Sequence, residues 1–182
     1  MRDLRRSGTP LVDLLGPSPY AAFQGAVDDA VLHGWHYYWK ATNLAGLSDD
    51  AIAVVADHAY AASSPRSYAA MFHMGGAVAR VPHDATAYAG RDVAHNIIID
   101  AVWLPDESAE HAAAETAWAR RFLQALQPHR AGGVYVNFLD SDDDPSRVRE
   151  AYGVQSYRRL AEVKAKYDPD NAFHHNKNIQ PG

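Results

Sequence analysis

Two periods alternate along the chain. Helical spacing puts Ile52, Val55 and Ala59 on one face of a segment with a clear start: Ser48 as N-cap, Asp49 and Asp50 in the first turn, and Leu47 placed to staple onto Ile52. The same spacing joins Trp118, Phe122 and Leu126 in a helix predicted over roughly Ser108 to Leu126, which stops before Pro128. A third stripe, Leu160, Val163 and Tyr167, marks a helix from about Val154 to Tyr167. A shorter helix is read in PYAAFQGAVDDAVLHG, entered through Pro19 and closed by Gly34.

Between these segments the period shortens to two. WHYYWKAT is aromatic-rich and short, which predicts a strand. SYAAMFHMGGAVARV and HNIIIDAVW read as two more, joined by PHDATAYAGRDVA, with Gly75 and Gly76 marking a bulge or a close backbone approach. GGVYVNF is the expected fourth strand. Asp168 precedes Pro169 and is pushed out of the helical region, so DPDN is a turn with proline second. Helix, strand, helix, strand, strand, helix, strand and final helix contain the split βαβ order. The expected fold class is α+β in one domain, residues 1–182. It has an antiparallel sheet with helices on one face, a ferredoxin-like core, and a C-terminal helix with a polar tail.

Composition narrows the function classes. With 182 residues, 47% of them hydrophobic, the chain can bury a real core. The net charge of -5 leaves no basic footprint for nucleic acid, and DSDDD at 140 to 144 reads as a solvated loop. No apolar stretch approaches a membrane span, and MRDLRRSGTPLVDLLG lacks the apolar segment of a secretory signal, so a cytoplasmic protein is expected. The absence of cysteine removes disulfides, thiolate nucleophiles and any flavin attached through sulfur.

Chemistry concentrates in GGVYVNF. Alternation sends Val134, Val136 and Phe138 to one face and Tyr135 with Asn137 to the other, a phenol and a carboxamide about 7 Å apart along the strand. An ordinary half-exposed sheet accounts for this spacing equally well. In WHYYWK, however, Trp35, Tyr37 and Trp39 share one face and His36, Tyr38 and Lys40 the other, more aromatics than a solvated face needs. Ten histidines are scattered almost singly, without HExxH, so no metal site is expected. GGAVAR lacks the third glycine and following helix of a dinucleotide loop.

DLLGP, PYAAFQ, HYYWKAT, MGGAVARV, TAYAGRD, GGVYVNFLD and YGVQSYRRLAEVKAKYDPDNAFHHNKNI together give the chain its likeness. It resembles the C-terminal, substrate-binding half of berberine-bridge-enzyme-like FAD-linked oxidases. The closing segment carries most of the specificity, through Gly153, Arg159, Leu160, Lys164, Tyr167, Asp168, Pro169, Asn171, Phe173, Asn178 and Ile179. Lys177 departs from the glutamine usual in that family. The resemblance implies that Tyr135 is a catalytic base or orients substrate, that Asn137, Asn176 and Asn178 help to hold FAD, and that the tail lies near the flavin. A phenol acting as base at neutral pH needs its anion favoured by roughly 3 units, about 4 kcal/mol. Lys40 is a candidate cation for that purpose. His36, Tyr38, Lys40 and His73 are candidates for the substrate-binding floor, His73 equally for a packed strand histidine. Arg91 reads as a structural tie.

The family's glycine-rich FAD-binding domain precedes everything matched here, so the flavin is expected mainly on a missing domain or a separate FAD-binding chain. The implied function is the substrate-binding and proton-transfer portion of an oxidoreductase acting on a small alcohol, sugar or natural product. A second reading is a cofactor-free homodimer whose paired sheet faces enclose a pocket, as a binder, cyclase or isomerase. A third is an inactive remnant.

Overall fold

The computed structural model describes residues 6, 8, 9, 16–175 and 177–182. The chain divides into two compact units, Met1–Gly34 and Trp35–Gly182, where the sequence suggests one domain. In the first, helix α1 spans only Tyr20–Gln24 after Pro19, followed by a single 3₁₀ turn at Asp28–Ala30. The expected helix through to Gly34 is therefore not continuous, and Gly25 and Val27 interrupt it.

The second unit is an α+β fold. Strands β1 (His36–Leu44), β2 (Tyr68–His73) and β3 (His95–Trp103) form an antiparallel sheet in the order β1-β3-β2, the order a split βαβ unit gives its first three strands. β2 stops at His73, short of the expected run to Val81. Met74 still donates to the Ala94 carbonyl, and Gly75 and Gly76, with φ of 140° and 54°, then turn the chain away rather than form a bulge.

One sheet face carries the two long helices. α2 (Asp49–Tyr60) is capped by Ser48 Oγ, which accepts from Ala51 N, and α3 (Ala109–Ala125) by Ser108 Oγ, which accepts from His111 N. Trp118, Ala119, Phe122 and Leu126 bury against Leu44, Ile97, Ile99 and Ala101, with Val54 and Val55 alongside. Ile52 and Leu47 remain substantially exposed, so α2 packs through Ala51, Val54 and Val55 and not through the expected Ile52-led stripe.

The fourth strand is not formed. At the outer edge of β1, Ala131 N donates to Asn43 O at 3.0 Å, Ala45 N donates to His129 O at 3.2 Å, and Leu44 and Arg130 form one isolated bridge. Gly132 and Gly133 then take φ of 77° and 69°, a region costly for other residues, and swing the chain off the edge. Residues Val136–Phe138 form a 3₁₀ turn. The apolar members still pack as alternation predicts: Val134 buries with Ala41, Ile98 and Ala151, and Val136 and Phe138 lie against them, joined by Leu139 from outside the alternation. Part of the second sheet face is therefore covered by this chain.

Helix α4 (Ser146–Tyr167) is broken at Gly153, whose φ of 71° and ψ of 159° separate two helical pieces. Val163 and Tyr167 of the Leu160, Val163 and Tyr167 stripe are exposed, and the helix packs through Ala151 and Ala161. Asn171 N donates to Asp168 O, closing the turn with Pro169 second. The Asp168 carboxylate accepts from Lys164 and from the amides of Ala172 (2.7 Å) and Phe173 (3.1 Å). The tail doubles back, and Gly182 N meets the Ala161 carbonyl at 3.3 Å.

Candidate functional site

A cavity of about 410 Å³ opens beside Tyr135 on the sheet face away from α2 and α3. Phe72 of β2 and Asn96 of β3 form its floor, Met74 and Val78 come from the turn after β2, Tyr88 and Arg91 from the connection to β3, and Tyr135 and Phe138 from the segment after the glycine turn. Aromatic rings shape it. Tyr135 stands edge-on to Phe138 at 5.0 Å and to Tyr88 at 6.0 Å, and Phe72 and Phe138 lie 5.8 Å apart. Such walls suit a flat apolar guest.

The polar groups are ordered from beneath. Asn96 Nδ2 donates to Asn43 Oδ1 at 2.8 Å, and Asn43 Nδ2 donates to the Gly132 carbonyl at 3.1 Å. This chain of amides runs from β3 through β1 to the turn that delivers Tyr135. A Cβ on Gly133 would stand 3.2 Å from Asn43 Nδ2, which is why a side chain does not suit that position. Asn137 Nδ2 donates to the Tyr135 hydroxyl at 2.7 Å. Arg91 performs the expected tie, donating to the Val78 carbonyl at 3.1 Å and to Thr86 Oγ1 at 2.6 Å, and its guanidinium lies 5.4 Å from the Tyr88 ring. Burial pushes the Tyr88 phenol up, and the Arg91 charge pulls it back.

The other candidate residues lie elsewhere. Strand alternation turns His36, Tyr38 and Lys40 toward α3, opposite to Trp39, Ala41 and Asn43. His36 stacks on Trp103 at 5.7 Å. Tyr38 donates to Asp142 at 2.9 Å and accepts from Arg120, while Lys40 pairs with Asp142 and with Asp143 at 3.1 Å. Lys40 is thus committed to two carboxylates on the far side of the sheet and does not serve as a cation for Tyr135. His73 neighbours His95 at 5.2 Å on that same far side, one residue out of phase with Phe72. Asn178 lines a separate polar cavity of about 450 Å³ with Arg149, Tyr157, His175 and Lys177. Asn176, and Asp13 to Leu15 of the DLLGP stretch, lie outside the described residues. Among the described residues no group of three or more metal-ligating side chains occurs, and no helix is long and apolar enough to cross a membrane.

Sequence reasoning missed three clusters. DSDDD is an ionic knot, since Asp143 also meets Arg147 at 2.5 Å and Asp142 meets Arg120 at 2.6 Å. Glu115, fully buried, accepts from Ser63, Ser64 N (3.0 Å) and Ser67. Asp100, only 5% exposed, lies on the same face as the Tyr135 cavity, in register with Trp39 and Tyr68. Burial pushes its carboxyl up to about 6, against a hydrogen bond from Tyr68. The available signal was a lone acid inside the apolar run HNIIIDAVW.

Residues 134–180 match the family described as berberine and berberine like. An FAD-linked oxidoreductase of Dictyostelium discoideum is 28% identical over 177 residues, covering 96% of this chain and 37% of that protein. An uncharacterized FAD-linked oxidoreductase of Bacillus subtilis is 34% identical over 134 residues, covering 74% of this chain and 29% of that one. Among solved structures, the BBE-like 1 enzyme of Physcomitrella patens superposes with a TM-score of 0.68 at 24% identity, over 80% of this chain and 30% of the other. That likeness establishes a shared fold. The chain spans well under half the length of each of these proteins.

Proposed function

Residues 134–180 form a berberine-like domain in a chain homologous to FAD-linked oxidoreductases, and from this we propose that it supplies the substrate-binding and proton-transfer part of an FAD-dependent oxidation of a small organic molecule. Tyr135 in the wall of the aromatic cavity, its hydroxyl held by Asn137, carries the reading.

The cavity fits a flat ring system and does not fit the phosphates of a dinucleotide. Gly75–Gly76 and Gly132–Gly133 are the positive-φ glycine pairs, and neither leads directly into an α-helix whose N-terminus would hold a pyrophosphate. The nucleotide end of FAD is therefore to be held by further residues or by a partner chain, while Tyr88, Phe138, Tyr135 and Asn137 would border its ring or the substrate. When bound, FAD supplies the hydride acceptor.

This chain's own residues manage the proton. Tyr135 relays it from the substrate hydroxyl, giving up its own hydroxyl proton to solvent as the adjoining carbon is oxidised. The Asn137 amide, already donating to Tyr135 Oη, holds that hydroxyl in place. Phe72, Met74, Val78 and Phe138 exclude water and align the substrate in a plane.

The visible spectrum of the purified chain tests this, alone and with added FAD or lumiflavin, which has the ring but no phosphates. A shifted flavin band with quenched fluorescence is expected, weaker in Tyr135→Ala. Unchanged spectra with both flavins would remove the flavin assignment.

A further inference from the structure

Arg91 is only 7% exposed, yet among the described residues no acid neutralises its charge. Its donors meet neutral oxygens, the Val78 carbonyl and the Thr86 hydroxyl. Its Nε–H is buried without an acceptor, and among the described residues no carboxylate lies at ion-pair distance from it. The nearest acid in sequence, Asp92, is occupied with His83 at 3.0 Å. A buried cation without a counter-ion is costly, and the stacking on Tyr88 offsets only part of that cost. Buried guanidinium groups are ordinarily matched by carboxylates, as Lys40 is matched here by Asp142 and Asp143.

The unmatched charge stands in the wall of the aromatic cavity. In that water-poor setting a positive group acts on a guest more strongly than it would in bulk solvent. The neighbouring Asn96, 4% exposed, also keeps a carbonyl oxygen buried without a partner, so the wall holds both an unused donor and an unused acceptor.

We propose that the cavity selects a planar aromatic ligand bearing a negative charge, an aryl carboxylate or an acidic phenol, and that Arg91 is the specificity-determining residue. This rests on the assignment of the cavity beside Tyr135 as the substrate site. The aromatic frame fills the space among Phe72, Tyr88 and Phe138, and the anionic group sets its orientation toward Arg91. A neutral sugar, rich in hydroxyls, finds few matching partners in such walls.

Two probes of the same shape and different charge separate these claims: 2-naphthoate and 2-naphthamide, titrated against the wild-type chain at low salt and followed by tyrosine fluorescence. Naphthoate is expected to bind at least about tenfold more tightly, with the preference reduced by added salt. Arg91→Gln should bring the two probes to parity, and Arg91→Lys should keep part of the preference. Because Arg91 also ties the connection before β3, the wild-type comparison is decisive even if neither variant folds. Equal binding of both probes, or tighter binding of naphthamide, would overturn charge selection while leaving the cavity as a binding site. Failure of both to bind would overturn the proposal together with the substrate-site assignment.

Discussion

The Asn137 amide nitrogen lies 2.7 Å from the Tyr135 hydroxyl oxygen, two positions along the chain, and donates to it. The 3₁₀ turn at Val136–Phe138 brings the pair together, whereas an extended strand would leave them about 7 Å apart. In a flavin-reduction assay, Tyr135→Phe is expected to lower turnover by about 10²- to 10⁴-fold. Asn137→Leu, which frees the hydroxyl to rotate, should cost less. Unchanged turnover in Tyr135→Phe would exclude an acid–base role.

Asp100 gives stability an inverted pH dependence. Its carboxyl is displaced from 3.8 to about 6, so the folded state keeps a proton that the unfolded chain has lost. The associated stabilisation is present below about pH 4 and disappears as pH rises through about 6. Asp100→Asn should therefore be more stable than wild type at neutral pH, by up to about 3 kcal/mol, and not at pH 4. Urea unfolding at the two pH values measures this.

Asp142 carries the opposite dependence. Burial pushes the Asp142 carboxyl up, but hydrogen bonds from Lys40, Arg120 and Tyr38 outweigh it and hold the group well below the usual carboxylate range. That stabilisation is present above the unfolded carboxylate pKa, about 4, and is lost as pH falls toward the lower folded value. Lys40→Met removes one of the two cations that face the almost fully buried Asp143, leaving Arg147, and should cost about 1–3 kcal/mol at neutral pH. Its acid-unfolding curve should also be flatter than wild type.

Glu115 fastens the connection between α2 and β2 to α3. Glu115→Ala removes the acceptor for Ser63, Ser64 N and Ser67, and should cost about 3 kcal/mol or more by denaturant unfolding. Glu115→Gln, which keeps one oxygen, should cost less.

Local rules reached what local rules determine. Ser48 caps its helix as its position predicts, and Trp118, Phe122 and Leu126 bury together because helical spacing puts them on one side. GGVYVNF fails as a strand because alternation at Val134, Val136 and Phe138 is satisfied equally by a chain that leaves the sheet edge and packs back across its face. Left-handed glycines at 132 and 133 decide between the two, and residue identity alone does not reveal them. Alternation likewise divides WHYYWK into two rows without saying which faces the helices. Tyr38 and Lys40 are fixed by acids more than 100 positions away, a pairing only the folded chain brings about.

The outer side of β1 is closed along much of its length. Trp39 N donates to Asp140, the Ala41 carbonyl accepts from Arg147, and the Asn43 carbonyl and Ala45 amide are taken by Ala131 and His129. A neighbouring molecule therefore finds no backbone template there. Open-ended growth requires every added copy to offer two pairing sides, so strand-to-strand association through β2 would stop at a pair and could not propagate into a filament.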